Sequence, residues 1–289
     1  MRPTAKSFLL DLLSTFGPAG APVRALVEAA GMFGIDANRL RVALARLVAK
    51  DLIAGDGPGR YRLGPASASV IAHVTSWRTV EQMLRPWTGS WVAVHTAALV
   101  RSDRRALRAC EQALRLLGFR SLTWGLELRP DNLARGIDTV RARLRALGLP
   151  ESLPVFVADD LDETTDTQAR RLWNLGQLRR GYRKTLDLLA ASSRRLPGLS
   201  ENRAMVESFL LGGQAIREIV HDPLLPDAIA PGEYRRSLVA AARDYDRLGR
   251  DCWAPFLKRH GMPHRSGPKD LRVSETAARS MLQAAEVGP

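Results

Sequence analysis

Cys252, His260 and His264 are the best candidates for a metal site, because a His-x-x-x-His interval can set two imidazoles on one helical face beside a thiolate. Gly261 and Pro263 fall inside that interval, and no fourth ligand is near, so the sequence predicts no metal and no cofactor. Asp159, Asp160, Asp162 and Glu163 form the densest acidic cluster. Such carboxylates can hold a divalent cation, but at a strand end they more often cap the helix that follows. No Ser, Cys or Thr stands in a nucleophile elbow or beside an obvious histidine partner. A phosphate-cradling Gly-rich loop and a dinucleotide fingerprint are also missing from the sequence, which therefore predicts no enzyme.

The remaining chemistry is that of arginine. Lys plus Arg number 43 against 30 acidic residues, a net charge of +13, and only five of the basic residues are lysine. The excess points to a polyanionic partner and is spread along the chain rather than gathered in a tail. It is best organised over 37–63. At 100° per residue, Leu40, Ala43, Leu44, Leu47 and Val48 share one face of a helix over 37–50. The opposite face carries Asn38, Val42, Ala45 and Ala49, with Arg41 on one flank and Arg39 and Arg46 on the other. Small side chains between arginines suit close approach to base edges in a DNA major groove. Arg60 and Arg62, alternating with Tyr61 and Leu63 in a hairpin, would reach phosphates or the adjacent minor groove.

A second set combines rings with cations: Trp77, Arg78, Trp87, Trp91, Trp124, Trp173, Arg179 and Arg180. Most tryptophans fill cores, yet an apolar pocket with arginines at its mouth could hold a flat anionic effector.

These residues need elements to position them. Apolar spacing predicts helices over 7–16, after Pro22, and over 37–50, with Asp36 at the N-cap of the third. Leu52-Ile53-Ala54, a Gly-rich turn and Arg60-Tyr61-Arg62-Leu63 then predict a hairpin. Three helices and a basic hairpin give a winged helix-turn-helix over 1–65. An Ala/Ser-rich helix over 66–79 leads to strands over 90–95, 121–128 and 154–158, with helices over 104–117 and 131–147 between them. This β-α-β-α-β order suggests a ferredoxin-like domain over 66–160, although a fourth strand is not evident. Residues 161–264 read as a helical domain with helices over 167–191, 202–220 and 233–260, and 265–289 as a mobile tail. The fold class expected is α+β and multidomain.

Cys110 and Cys252 fall in helical segments, which suggests a reducing compartment without disulfides. The apolar stretch of the first helix is interrupted by Asp11 and no cleavage site follows it, and no run of 18 apolar residues occurs. The expectation is a cytoplasmic protein without a membrane partner.

Phe33-Gly34-Ile35-Asp36 through Arg41, then Ala43 and Arg46-Leu47, is similar to the F-G-I and R-x-[AS]-x-x-R-L of the PaaX family of repressors. His221-Asp222-Pro223-Leu224-Leu225-Pro226, with Pro231 after it, resembles its D-P-x-L-P-x-x-L-L-P segment. After the recognition helix the family usually has Gly-Trp where this chain has Asp51-Leu52, and its W-P-G appears here as Tyr234-Arg235-Arg236. The resemblance implies a winged helix, a ferredoxin-like (Cas2-like) middle domain and a helical C-terminal domain. It also implies a homodimeric repressor of aromatic catabolism, released from double-stranded operator DNA by an aryl acyl-CoA. A Cas2-like metal-dependent nuclease using Asp159-Asp160, and a nucleic-acid scaffold without ligand control, are the competing expectations. The first strand, Trp91-Val92-Ala93-Val94-His95-Thr96, lacks the carboxylate such a nuclease places there.

Overall fold

The computed structural model describes residues 3–17, 19–99 and 103–263, so His264 and the tail expected at 265–289 lie outside the described residues. In chain order the elements begin with α1 (Ala5–Phe16), β1 (Ala21–Pro22), α2 (Val23–Met32), α3 (Ala37–Val48), β2 (Ile53–Gly55), β3 (Arg60–Leu63) and α4 (Ala68–Thr75). Next come β4 (Trp91–His95), α5 (Arg104–Leu116), β5 (Arg120–Thr123), β6 (Leu126–Pro130), α6 (Gly136–Ala146) and β7 (Val155–Ala158). Four helices follow: α7 (Glu163–Arg170), α8 (Leu175–Arg195), α9 (Glu201–Val220) and α10 (Glu233–Arg259). No helix among the described residues is long and apolar enough to cross a membrane.

The chain gathers into two compact units. The first comprises the described residues within Met1–Ala72, Ala191–Gly213 and Arg243–Pro289; the second comprises those within His73–Ala190 and Gln214–Ala242. This differs from the linear division at 65 and 160. The reason is that α9 buries Met205 in the first unit and Ile219 in the second, while α10 buries Trp253 in the first and Leu238 in the second. The late helices are therefore shared between two cores instead of forming their own.

In the first unit α1 starts at a reciprocal cap: Thr4 Oγ1 accepts the Ser7 N–H at 3.2 Å, and Ser7 Oγ accepts the Thr4 N–H at 3.1 Å. Its apolar face, Phe8, Leu9, Leu12, Leu13 and Phe16, is buried with Leu40, Leu44 and Leu47 of α3 and with Met205, Trp253 and Phe256. The Phe8 ring lies 4.9 Å from Phe33 and 5.8 Å from Phe209. Three strands form an antiparallel sheet in the order β1-β3-β2, with Ala21 opposite Tyr61 and Ile53 opposite Leu63. The sequence reading missed β1. Gly64 follows β3 closely against the end of α3, where an added Cβ would sit 2.1 Å from the Asp51 carbonyl oxygen.

The end of α3 also departs from expectation. Val48 is 37% exposed, because 100° per residue leaves it at the edge of the Leu40, Leu44 and Leu47 stripe. The chain then closes with Leu52 N–H donating to the Leu47 carbonyl at 3.0 Å and Asp51 N–H to that of Val48 at 3.0 Å. This is a Schellman ending, with Asp51 at φ 53 in the left-handed position that glycine favours.

The second unit holds a four-stranded antiparallel sheet in the order β5-β6-β4-β7. The strand expected over 121–128 is two strands, because the chain turns at Trp124-Gly125, with Gly125 at φ 76. That turn supplies the fourth strand. The helix expected over 66–79 is also divided: α4 ends at Thr75 and tighter 3-10 turns run to Met83. Ser76 Oγ donates to the His73 carbonyl at 2.7 Å and Thr79 Oγ1 to that of Ser76 at 3.3 Å, local bonds that compete with the helix ladder. The helix expected over 167–191 breaks between α7 and α8, where Asn174 Oδ1 caps the new start by accepting the Gln177 N–H at 2.9 Å.

The proline-rich segment after α9 is fixed by Asp222. Its carboxylate accepts the Tyr182 hydroxyl at 2.5 Å and the Leu224 N–H at 2.6 Å. Burial pushes the Asp222 carboxyl above its usual range, and burial together with the Asp222 charge pushes the Tyr182 phenol up. Arg235, also buried, donates to Glu81 and to the Leu225 carbonyl, each at 3.1 Å.

Candidate nucleic-acid interface

Helix α3 is aimed by its first residue. Asp36 lies in an extended conformation, and its Oδ1 accepts the Arg39 N–H at 2.8 Å, satisfying an orphan helix-start donor. With Leu40, Leu44 and Leu47 in the core, Asn38, Arg39, Arg41, Val42, Ala45 and Arg46 are all exposed. Val42, 43% exposed, and Ala45 leave low ground on that face. The arginines are not equivalent. Arg39 Nε lies 3.1 Å from Asp36 Oδ2, which draws it toward the cap. Arg41 and Arg46 have no ion pair or hydrogen-bond partner among the described residues and keep their full donor set for a ligand.

The hairpin arginines are more engaged than the sequence suggests. Arg60 is half-buried, and its Nη2 donates to the Ala19 carbonyl at 2.9 Å. Arg62 Nε lies 3.5 Å from Asp56 Oδ1. An exposed pair of this kind is worth only about 0–1 kcal/mol, so Arg62 can exchange Asp56 for a phosphate at little cost.

Sequence reasoning missed Arg24. It sits exposed in the first turn of α2, without a partner among the described residues. Together with Pro22, Pro58, Arg60 and His260 it borders an open groove of about 300 Å³. Its signal was an arginine two residues after a proline at a helix start, which reads locally as an ordinary surface residue. His260 Nε2 in turn lies 2.9 Å from Glu28 Oε2.

The aromatic and arginine set in the second unit does not surround one space. Trp91 and Trp173 are buried with ring planes 7° apart and centroids at 6.2 Å, and Trp87 meets Trp91 edge-on at 5.2 Å. Their N–H groups are taken: Trp87 donates to the Ser90 carbonyl, Trp91 to Asp166 and Trp173 to the Gly118 carbonyl. Trp124, at 70% exposure, stands on the β5-β6 turn. Trp77 is buried, with the Arg78 guanidinium 4.6 Å from its ring centroid. Arg179 lies on Tyr234 and donates to its hydroxyl at 3.0 Å, and Arg180 is exposed. Trp87, Trp91 and Trp173 meet here to fill core volume, while Trp124, Arg179 and Arg180 stand exposed, so the eight residues do not line one common space.

The acidic cluster is partly explained by capping. Asp162 Oδ1 accepts the Thr165 N–H at 3.0 Å at the start of α7, and its hydrogen bonds to Thr165 hold its carboxyl below the usual range. Among the described residues no group of three or more His, Cys, Asp and Glu side chains is placed to hold a metal ion.

No protein-family model matches the chain, and no curated protein matches it. Among solved structures it is similar to the uncharacterized protein Rv0674 from Mycobacterium tuberculosis, with a TM-score of 0.58 and 25% sequence identity, covering 88% of this chain and 98% of that one.

Proposed function

We propose that this protein is a ligand-responsive transcriptional repressor that binds operator DNA through α3 as a homodimer and resembles the PaaX family. The observation that carries the reading is the outer face of α3, where Arg41 and Arg46 project beside Val42 and Ala45 without partners among the described residues. Guanidinium groups flanking small side chains match guanine edges bidentately while the helix lies deep in the groove. A winged helix-turn-helix is supported by the order α1-β1-α2-α3-β2-β3 with its small antiparallel sheet. A ferredoxin-like middle domain is supported by β4-α5-β5-β6-α6-β7 with strands in the order β5-β6-β4-β7.

The effector in this reading is an aryl acyl-CoA, whose polyanionic nucleotide needs arginines and whose aromatic end needs an apolar site. It releases DNA only to the extent that it binds the DNA-incompetent conformation more tightly. The reading includes no enzymatic step.

Fluorescence anisotropy with labelled DNA from upstream of the protein's own gene tests the proposal. Saturable binding that outcompetes a scrambled duplex at physiological salt supports it, with the DNA left intact in Mg²⁺ or Mn²⁺. Equal affinity for both duplexes contradicts it.

A further inference from the structure

In the second unit, two guanidinium groups and an imidazole border one partly enclosed cavity of about 20 Å³, whose lining includes His73, Trp77, Met83, Arg129, Arg143 and Asp222. Space on that scale holds a guest the size of a water molecule or somewhat larger. The character of the guest follows from the wall.

Arg129, in β6, is 1% exposed. Its guanidinium donates to the carbonyls of Leu117 and Pro130 and to Asn132 Oδ1, all uncharged acceptors. Arg143 comes from α6, and its Nη2 donates to the thioether sulfur of Met83 at 3.0 Å, a weak acceptor. Neither arginine has a carboxylate within ion-pair distance among the described residues; the buried Asp131 favours the charged form of Arg129 from further off and is itself paired with Arg85. His73 bonds the Val220 carbonyl through its ring, which leaves its buried Nε2 as an acceptor without a partner among the described residues. The three groups also feel one another: the Arg143 charge, after burial, disfavours the protonated forms of both Arg129 and His73. Asp222 is the wall's carboxylate, but it is already held by the Tyr182 hydroxyl and the Leu224 N–H and faces the charge of Arg235.

Positive charge thus exceeds free negative charge around a space that holds spare donors. Buried cations without a counter-charge are costly, and a neutral water would accept their hydrogen bonds without offsetting that charge. The geometry points to a small-monoanion site here, taking a halide or the carboxylate head of a short organic acid between Arg129 and Arg143. The site is independent of the DNA-binding reading and stands or falls separately from it.

The test uses the full chain near neutral pH, with chloride, formate and sulfate exchanged at constant ionic strength. Chloride-35 linewidth and melting temperature are the two readouts. A saturable response to chloride or formate but not to sulfate is expected. Competition between the two assigns a shared site, and a response to formate alone assigns the carboxylate source. Arg143→Met should weaken binding by at least about tenfold, while Arg143→Lys, which keeps the charge, should retain part of it. If the methionine variant does not fold, the lysine variant and the wild-type competition still decide. Linewidth and melting temperature that follow ionic strength alone, the same for all three anions, would overturn the site.

Discussion

Arg41 carries the sharpest residue-level expectation, because it is exposed on the face of α3 opposite Leu40, Leu44 and Leu47 and unpaired among the described residues. Arg41→Ala should lower specific DNA affinity by about 1–3 kcal/mol and leave non-specific binding nearly unchanged, as read by anisotropy on operator and scrambled duplexes. Asp51 makes a different prediction. It occupies a left-handed position at φ 53, so Asp51→Gly should raise stability by about 1 kcal/mol in urea denaturation while α3 still binds DNA. His73 makes a pH prediction. Burial first, then the Arg143 charge, lower it from 6.5 to about 4, so between those values the unfolded chain takes up a proton that the folded one refuses. Stability held above pH 6.5 is therefore lost as pH falls toward 4, by about 3 kcal/mol from this group. The difference between wild type and His73→Gln across that window measures it, and parallel curves would refute the assignment.

At the scale of elements, legibility follows locality. Helix α3 is written in its own residues: the Asp36 cap, the apolar stripe and the opposite polar face are all within one segment, so its exposed side chains could be named from the sequence. Strand β1 is only Ala21–Pro22 and exists because Tyr61 and Arg60 pair with it, a partnership forty residues distant that no local pattern carries. The break at Trp173-Asn174 was hidden because Trp173 continues the apolar period of the helices on either side. The aromatic set follows the same rule: whether tryptophans line a pocket or fill one another's space depends on contacts such as Trp91 on Trp173, which join distant segments. The hairpin and the start of α2 beside it give two element-level tests. Arg24→Ala and Arg60→Ala should each weaken specific and non-specific binding alike and reduce the salt slope by about one unit. Gly64→Ala forces a Cβ to within 2.1 Å of the Asp51 carbonyl oxygen, so β2, β3 and the end of α3 must shift. A loss of about 1–3 kcal/mol in stability is expected, together with loss of DNA binding. Full retention of both would place the sheet elsewhere.

At the scale of the whole molecule, one recognition helix covers too few base pairs for an operator, and a two-fold dimer doubles the site at a spacing set by the helical repeat of about 10 base pairs. Sedimentation at micromolar concentration should therefore report a dimer, and an aryl acyl-CoA should raise the melting temperature and lower operator affinity where the free acid does neither. DNase footprinting upstream of the protein's own gene, with wild type and Arg41→Ala compared at physiological salt, tests the central claim most directly. The account predicts a protected inverted repeat that the wild type occupies at nanomolar to tens-of-nanomolar concentration and the variant only at about five- to hundredfold more. Uniform protection without a preferred sequence, or the same footprint at the same concentration for both proteins, would contradict it.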